Sequence, residues 1–337
     1  MPLASSLKAS SLKSMPRISS TCAVAAMACV FAMPCFAAAA SDGIPPPDHN
    51  QDTGPSVESA RVAVRSTAEW LARGIDSWFG NKPFSEGGKV SDGQISLNLY
   101  SRQDQGTDAS VRFNARFKLP NVETQTYFFT GRDNSVALIT DKPDAFATKQ
   151  QLLVPDNAED RAFFAGFGRS IGDSFDARIG FQSGLKLFAQ GRYRRSWSPT
   201  VDDEFDFSET IFLTVLDHLG SSTAFSYQHR FSPAWIGRWL NAVAVTQADT
   251  SAEWSSSLGV YRSMGEQRLL SMEILASGKQ NTGLPLKDYG VQVRWEQPVH
   301  RNRLMGEIIL GHFWPQSLVA TARSTAWALG TGLNMRF

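Results

Sequence analysis

The chain has 337 residues, with 33 basic and 32 acidic side chains, a formal net charge of +1 and three cysteines. A near-neutral chain lacks the basic surface that binds phosphate backbones, so its composition argues against a nucleic-acid partner. Its length suits one large or two ordinary domains and buries enough surface to fold without disulfide or metal staples.

The first forty residues have the order of an export signal. Basic residues without any acid precede an apolar run, Cys22 to Phe36, and a string of alanines follows it. This order predicts a cleaved signal peptide over residues 1–40, with Met1 or Met15 as the start. The alternative is an uncleaved anchor, but Pro34 interrupts the apolar run. All three cysteines lie in this segment, so cleavage would leave no disulfide and no thiolate metal site.

A polar stretch and an amphipathic segment come next. Residues 41–56 hold three consecutive prolines among Asp, Asn and Gly, which predicts a flexible linker. From residue 57 to residue 80, apolar side chains recur at helical spacing while charged side chains occupy the opposite face. This periodicity predicts an amphipathic helix over 57–80.

Beyond residue 93 the hydrophobic period changes from helical to two. In residues 108–119, for example, Val111 and Phe113 alternate with Arg112 and other polar residues. The last segment has the same alternation and ends on an aromatic residue. The pattern predicts about fourteen strands, most of them long enough to cross a bilayer at a tilt, and twelve remains an alternative count. The predicted strands are 93–102, 108–119, 123–131, 159–169, 173–182, 184–196, 205–216, 220–231, 236–248, 251–263, 267–277, 286–297, 301–313 and 325–337.

An export signal, alternating strands and a terminal aromatic residue together resemble bacterial outer-membrane β-barrel proteins. The segments 76–80 and 311–315 are similar to those of uncharacterised proteobacterial members. The interpretation is therefore an all-β fold, a transmembrane antiparallel β-barrel of about 12–14 strands over residues 93–337 with an N-terminal amphipathic helix. A soluble sandwich or lipocalin-like barrel shows the same periodicity, but tryptophans near the predicted strand ends favour the membrane.

The resemblance has further implications. It implies export to the cell outer membrane, where lipid and lipopolysaccharide surround the barrel. It implies that the barrel-assembly machinery recognises Phe337 as an assembly signal. The helix at 57–80 would lie on the periplasmic side. Its possible positions are the inner mouth of the barrel, the lumen as a plug, or a membrane surface, and the first two are favoured because a surface helix usually carries more Lys and Arg.

The polar faces of the strands predict a function. If the apolar faces contact lipid, basic side chains line the lumen, against the fewer acids Asp176, Glu273, Glu296 and Glu307. A basic, water-filled lumen favours anions, so we expect a channel for small anionic or zwitterionic solutes. The alternative is a closed structural barrel in which the charges pair with one another. The predicted lumen-lining residues are Arg112, Arg116, Lys118, Arg178, Lys186, Arg192, Arg194, Arg294 and Arg336.

The sequence offers no convincing catalytic or metal site. His229 lacks the His-x-Ser segment of outer-membrane phospholipases, because residue 231 is Phe. His218 follows Asp217, but one adjacent pair is a weak signal for hydrolysis. The acidic run 202–206 lacks the spacing of a calcium loop. We therefore expect no enzyme, no cofactor and no metal; an outer-membrane hydrolase of lipid or peptide remains the alternative.

Overall fold

The computed structural model describes residues 54–76, 82–122, 125–134, 138, 140, 161–216, 218–265, 267–300, 304–316 and 322–337. The predicted signal peptide and most of the predicted linker lie outside these residues. None of the described helical segments combines the length and hydropathy needed to cross a membrane.

The described residues form one helix and fourteen antiparallel strands that close into a barrel. Each strand pairs with its sequence neighbours, and the last pairs with the first, so no edge is left open. The elements are α1 (Gly54–Asp76), β1 (Lys89–Arg102), β2 (Gly106–Lys118), β3 (Thr126–Asn134), β4 (Arg161–Ile171), β5 (Phe175–Gln182), β6 (Lys186–Trp197), β7 (Asp203–Thr214), β8 (His218–Ser232), β9 (Trp235–Thr246), β10 (Glu253–Ser263), β11 (Leu269–Lys279), β12 (Asp288–His300), β13 (Leu304–Phe313) and β14 (Ala326–Arg336).

The predicted fold class is confirmed, with fourteen strands rather than twelve. The observed ends differ from the predicted ones by a few residues. The largest extension is at β1, which begins at Lys89 rather than at residue 93, because Lys89 pairs with Lys118 beyond an irregularity between Val90 and Asp92. Pairing with β2 sets this boundary, and the sequence of β1 alone cannot show that pairing.

The two faces of the wall differ in polarity. On β2, Val111 is 52% exposed, whereas Ser110 and Arg112 are buried on the opposite face. The same alternation in β14 turns Trp327 and Leu329 outward and their alanine neighbours inward. An apolar outer wall around a polar interior is the arrangement of a barrel that spans a membrane.

Both ends of the barrel chain lie at one rim. β1 begins where β14 ends, and Phe337 N–H donates to the carbonyl of Gly93. We call this rim the terminal end and the opposite rim the far end. The two longest connections, 135–160 and 314–325, belong to the far end because each follows an odd-numbered strand. This agrees with the rule that the longer loops of such barrels lie outside the cell and that the chain ends in the periplasm.

Helix α1 packs on the outer wall, not in the mouth or lumen. Ala72 is fully buried in a cluster with Ala115, Phe117, Leu119 and Phe128. These residues of β2 and β3 lie on the same face as the exposed lipid-facing side chains. The favoured positions for the helix, the mouth and the lumen, are therefore wrong, because Ala68 and Ala72 of α1 meet the outer wall beside the terminal rim.

A polar contact fixes the end of α1. Asp76 is buried, and its carboxylate accepts hydrogen bonds from Asn121 N–H at 3.1 Å and from Asn121 Nδ2 at 2.7 Å. Asn121 Nδ2 also donates to the carbonyl of Lys82, and Lys82 N–H donates back to Asn121 Oδ1. The Asn121 side chain therefore connects the end of α1 to Lys82, in the segment that leads to β1.

Changing Asn121 to Ala should weaken the docking of α1 by about 1.5–3 kcal/mol, because the buried Asp76 carboxylate loses its side-chain donor, Asn121 Nδ2. Amide hydrogen exchange should then accelerate across 54–76 while the strands remain protected. The control is Arg65→Ala, which removes an exposed helix pair with Glu69 and should change exchange little. Equal exchange in the two variants would contradict the anchoring role of Asn121.

Candidate functional site: the inner wall

Strand register places the predicted basic residues on one continuous face. Following directly paired residues around the barrel links Arg112 to Ser96, Asn334, Met305 and Pro298. On the other side, Arg116 pairs with Phe129, which leads to Gly166, Gly180 and then Phe188. This is the face opposite to the apolar outer wall. It carries all the predicted lumen residues, namely Arg112, Arg116, Lys118, Arg178, Lys186, Arg192, Arg194, Arg294 and Arg336.

A first charged cluster lies on β2 to β6. Arg178 Nε donates to Asp176 Oδ1 at 2.9 Å, and Arg192 lies 3.6 Å from the same oxygen. Tyr127 OH donates to Asp176 Oδ2 at 2.7 Å, while the Arg116 guanidinium stacks 4.2 Å from the Tyr127 ring centroid. One carboxylate therefore offsets two guanidiniums, and a third rests on an aromatic face. Among the described residues of this cluster, guanidinium groups outnumber carboxylates.

A second cluster lies on the wall from β9 to β12. Glu273 is buried and accepts hydrogen bonds from Gln292 Nε2 at 2.5 Å, from Arg294 Nη2 at 3.3 Å and from the Tyr261 hydroxyl. Arg238 Nη2 lies 3.9 Å from Glu273 Oε1. Arg294 also reaches Glu296 at 3.2 Å, so basic and acidic groups are balanced in this cluster.

Sequence reasoning missed a third group, near the far end. The side chain of Arg102 is fully buried and contacts Asp104 at 2.8 Å and Asp288 at 2.5 Å. Its guanidinium lies 4.7 Å from the centroid of the Phe313 ring. A fourth pair missed from sequence joins Arg112 to Asp133 at 3.5 Å. Alternation on β12 could have revealed Asp288, since it shares a face with Gln292 and Arg294.

One described residue between β3 and β4, Leu138, lies inside the barrel towards its far end. Leu138 packs against an aromatic cluster on the inner wall, and its carbonyl accepts a hydrogen bond from Gln190 Nε2 at 3.4 Å. Glycines at 166 and 168 leave room for the rings, since a Cβ on Gly168 would lie 2.3 Å from Tyr127. Leu138 therefore has an apolar seat inside the lumen. The aromatic residues of this seat are Tyr127, Phe129, Phe164 and Phe188.

His229 and His218 lie away from the charged clusters of the inner wall. His229 Nδ1 lies 2.8 Å from Asp203 Oδ1, which also accepts a hydrogen bond from Tyr227 OH at 2.7 Å. This group belongs to the outer face at the terminal end. His218 Nδ1 lies 3.2 Å from the carbonyl of Leu216 in a far-end connection. The two histidines are therefore at opposite rims.

The acidic run 202–206 does not converge on one point. Asp203 is bound by His229, Tyr227 and Thr200 on the outer face. Asp206 lies on the inner face and accepts hydrogen bonds from Ser196 and Ser226. Strand alternation separates the carboxylates. Within the described ranges, no group of three His, Cys, Asp or Glu side chains could hold a metal ion.

An ion pair orders the far-end connection between β9 and β10. Lys279 Nζ lies 2.5 Å from Asp249 Oδ2, and the Ser251 N–H donates to Asp249 Oδ1 at 3.0 Å. The Lys279 hydrogen bond, supported by those from Ser251, lowers the pKa of the Asp249 carboxyl below its ordinary value of 3.8.

Because the folded pKa is the lower one, this stabilisation is complete above the ordinary value and disappears as pH falls through the lowered one. Pepsin should therefore leave 247–252 intact at pH near 3.8 and cleave it only in stronger acid. Changing Lys279 to Met should move the onset of cleavage to higher pH. An unmoved onset would show that the pair does not order this connection.

Comparisons with known proteins find similarity of fold. No protein-family model matches the chain, and no curated protein matches it. The anion-selective porin from Comamonas acidovorans superposes with a TM-score of 0.43 and 10% identity, over 74% of this chain and 100% of that one. The outer membrane channel DcaP of Acinetobacter baumannii gives 0.44 and 8%, over 77% and 99%. The KdgM porin gives 0.35 and 4%, over 72% and 99%.

The class of the protein follows from its own architecture. Fourteen antiparallel strands close completely, and the wall is apolar outside and charged inside. Barrels of an even number of strands with these two faces span the outer membranes of bacteria. The chain is an outer-membrane β-barrel protein.

Proposed function

We propose that this protein is a channel that passes small anionic or zwitterionic solutes across the outer membrane. Rings and stripes of charged side chains in a pore select solutes by sign. The observation that carries the proposal is a basic stripe on the inner wall at the terminal end, formed by Lys89, Arg116, Lys118 and Arg336. One acid, Asp92, lies opposite Arg116 in the strand register of this stripe.

The deeper clusters favour solutes that carry both signs. Asp176 lies between Arg178 and Arg192 on one wall, and Glu273 lies beside Arg294 on another. A zwitterion can exchange its own groups for these fixed partners as it passes, whereas a simple cation has to cross the basic stripe before it reaches the periplasm. The wall therefore supports passage of anions and zwitterions over cations.

Purified protein in planar bilayers should show discrete conductance steps with a reversal potential that favours anions. Changing Lys118 and Arg336 together to Glu should lower the anion-to-cation permeability ratio. Each 1 kcal/mol of favourable interaction between an anion and the inner wall that is lost corresponds to a decrease of about fivefold. The matched control is Arg195→Glu, on the exposed outer face at the terminal end, which should leave the ratio unchanged. Cation preference in the unaltered protein would refute the selectivity.

A closed structural barrel is the second candidate, and the ion pairs favour it. Arg102, Arg112 and Arg294 each contact an acid on the inner wall. Leu138 also occupies part of the lumen. Folded protein that gives no conductance would support this candidate over the channel. Hydrolysis of lipid or peptide has less support, because His218 and His229 lie at opposite rims and outside the clusters of the inner wall.

A further inference from the structure

One sector of the lipid-facing wall is polar. Glu209 on β7 is directly paired with Thr223 on β8, and Ser221 is paired with the exposed Ile211. On β9, Asn241 lies diagonal to Thr223, because Thr223 is directly opposite Val243 and Asn241 is opposite Phe225. Asn241 is in turn directly opposite Ser256 of β10. We call this group the outer polar patch. Its members are Glu209, Ser221, Thr223, Asn241 and Ser256, and each is half-buried.

The patch is internally hydrogen-bonded but does not use all its polar capacity. The two oxygens of Glu209 accept one hydrogen bond each, from the Ser221 hydroxyl and from Thr223 Oγ1 at 2.5 Å. Ser256 Oγ donates to Asn241 Oδ1 at 2.8 Å. A carboxylate and an amide have further acceptor and donor sites on their outward sides. The patch can therefore bind an additional polar surface.

Apolar side chains bracket the patch along every strand that contributes to it. Ile211 and Leu213 are exposed on the far side of Glu209, and Phe207 lies on its terminal side. Around Asn241, Trp239 and Val243 are exposed on the two sides. The polar atoms therefore lie within the hydrocarbon band of the membrane and not at its interfaces. Hydrocarbon has no hydrogen-bonding groups to offer them.

The remainder of the described outer wall does not share this composition. Outside the patch, two threonines face lipid at mid-strand: Thr331 lies between two leucines on β14, and the Thr130 hydroxyl on β3 donates to the carbonyl of Phe164. On the same face of β3, the Arg132 guanidinium lies over the Phe163 ring. The exposed lipid-facing side chains at mid-strand are aliphatic or aromatic, among them Leu97, Val111, Ile179, Met272, Ile274, Val293 and Leu310. Among the described strands, polar side chains that are hydrogen-bonded to one another on the lipid-facing side at mid-strand are a property of β7 to β10.

We propose that the outer polar patch is the surface through which two copies of this chain associate in the membrane. The Glu209 carboxylate accepts, and the Asn241 amide both donates and accepts, so donors of the patch on one copy can meet acceptors of the patch on the other. A twofold axis brings identical surfaces together, as self-complementarity requires. Hydrogen bonds between polar side chains, together with close packing, hold membrane segments against one another where the hydrophobic effect does not. Lipid chains cannot replace these contacts.

Cysteine crosslinking in native outer membranes tests the proposal. Cys22, Cys29 and Cys35 are first changed to Ala, and single cysteines are then placed at Thr223 or Ser256 and treated with a short bismaleimide. The expected product has twice the monomer mass. The matched control is Thr331→Cys, also a lipid-facing threonine at mid-strand but six strands from β8 and four from β10 around the fourteen-stranded barrel, which should remain monomeric.

A second variant separates association from folding. Changing Asn241 and Ser256 to Leu keeps the wall apolar and should leave the heat-modifiable mobility of the folded barrel intact. It should lower the crosslinked fraction of Thr223→Cys about tenfold, equivalent to about 1.4 kcal/mol. Folded protein that stays monomeric at every position would overturn the proposal. So would a product of another mass, which would indicate a different partner, or equal crosslinking at residue 331, which would indicate random collision.

Discussion

Changing Arg102 to Met should lower the free energy of unfolding of the barrel by roughly 3–5 kcal/mol. The Arg102 side chain is fully buried and contacts the carboxylates of Asp104 and Asp288. Methionine fills a similar volume over the Phe313 ring but leaves Asp288, whose side chain is only 7% exposed, without its cation. The cost comes mainly from this uncompensated buried charge, and urea unfolding followed by tryptophan fluorescence measures it.

Two further variants identify the cause of the loss. Adding Asp288→Asn to Arg102→Met removes the stranded charge and should recover a large part of the stability. Arg65→Met breaks an exposed pair with Glu69 on α1 and should cost less than about 1 kcal/mol. If the double variant is no more stable than Arg102→Met, packing around residue 102 and not charge explains the effect.

The fold could be predicted because a membrane barrel imposes a local rule on every strand. Val111 must face lipid and Arg112 must face away from it, and this requirement repeats every two residues without reference to any distant contact. Strand boundaries were less accurate for the opposite reason. The start of β1 at Lys89 depends on its partner, Lys118, which lies on another strand.

The contents of the lumen were harder to predict because they depend on register and on distant segments. Asp176 and Arg178 are two residues apart, so their shared face was evident from the sequence. Arg102 and Asp288 are 186 residues apart, and only closure of the barrel brings them together. Amphipathicity likewise showed that α1 must cover an apolar surface, but it could not indicate which of the available surfaces that would be.

The same limitation applies to the outer wall. In the sequence, Glu209 and Thr223 fall within two neighbouring predicted strands, 205–216 and 220–231. The face that each residue occupies depends on where the alternation of its strand begins. The paired register shows that both point outward. Polar residues that break the apolar period of a lipid-facing wall thus have a different meaning from polar residues that follow the period, because a hydrogen-bonded group of the former is the proposed contact surface and the latter line the lumen.

Changing Glu273 to Gln should affect both stability and selectivity. Glu273 is buried among Gln292, Arg294 and Tyr261, so its neutral replacement removes one of the carboxylates that compensate Arg294. The free energy of unfolding should fall by about 3 kcal/mol. Removing a negative charge from the inner wall should also shift the reversal potential further toward anions, provided that solutes pass this cluster.

The matched control makes the same substitution on the other face. Glu209→Gln changes a glutamate in the middle of β7 that faces lipid, so single-channel selectivity should not change even where association does. A shift in reversal potential for Glu273→Gln alone would place the second charged cluster on the path of the ions. Loss of stability without any shift would instead mean that Glu273 and Arg294 fill a closed part of the lumen, and that the conducting path follows the wall from β2 to β6.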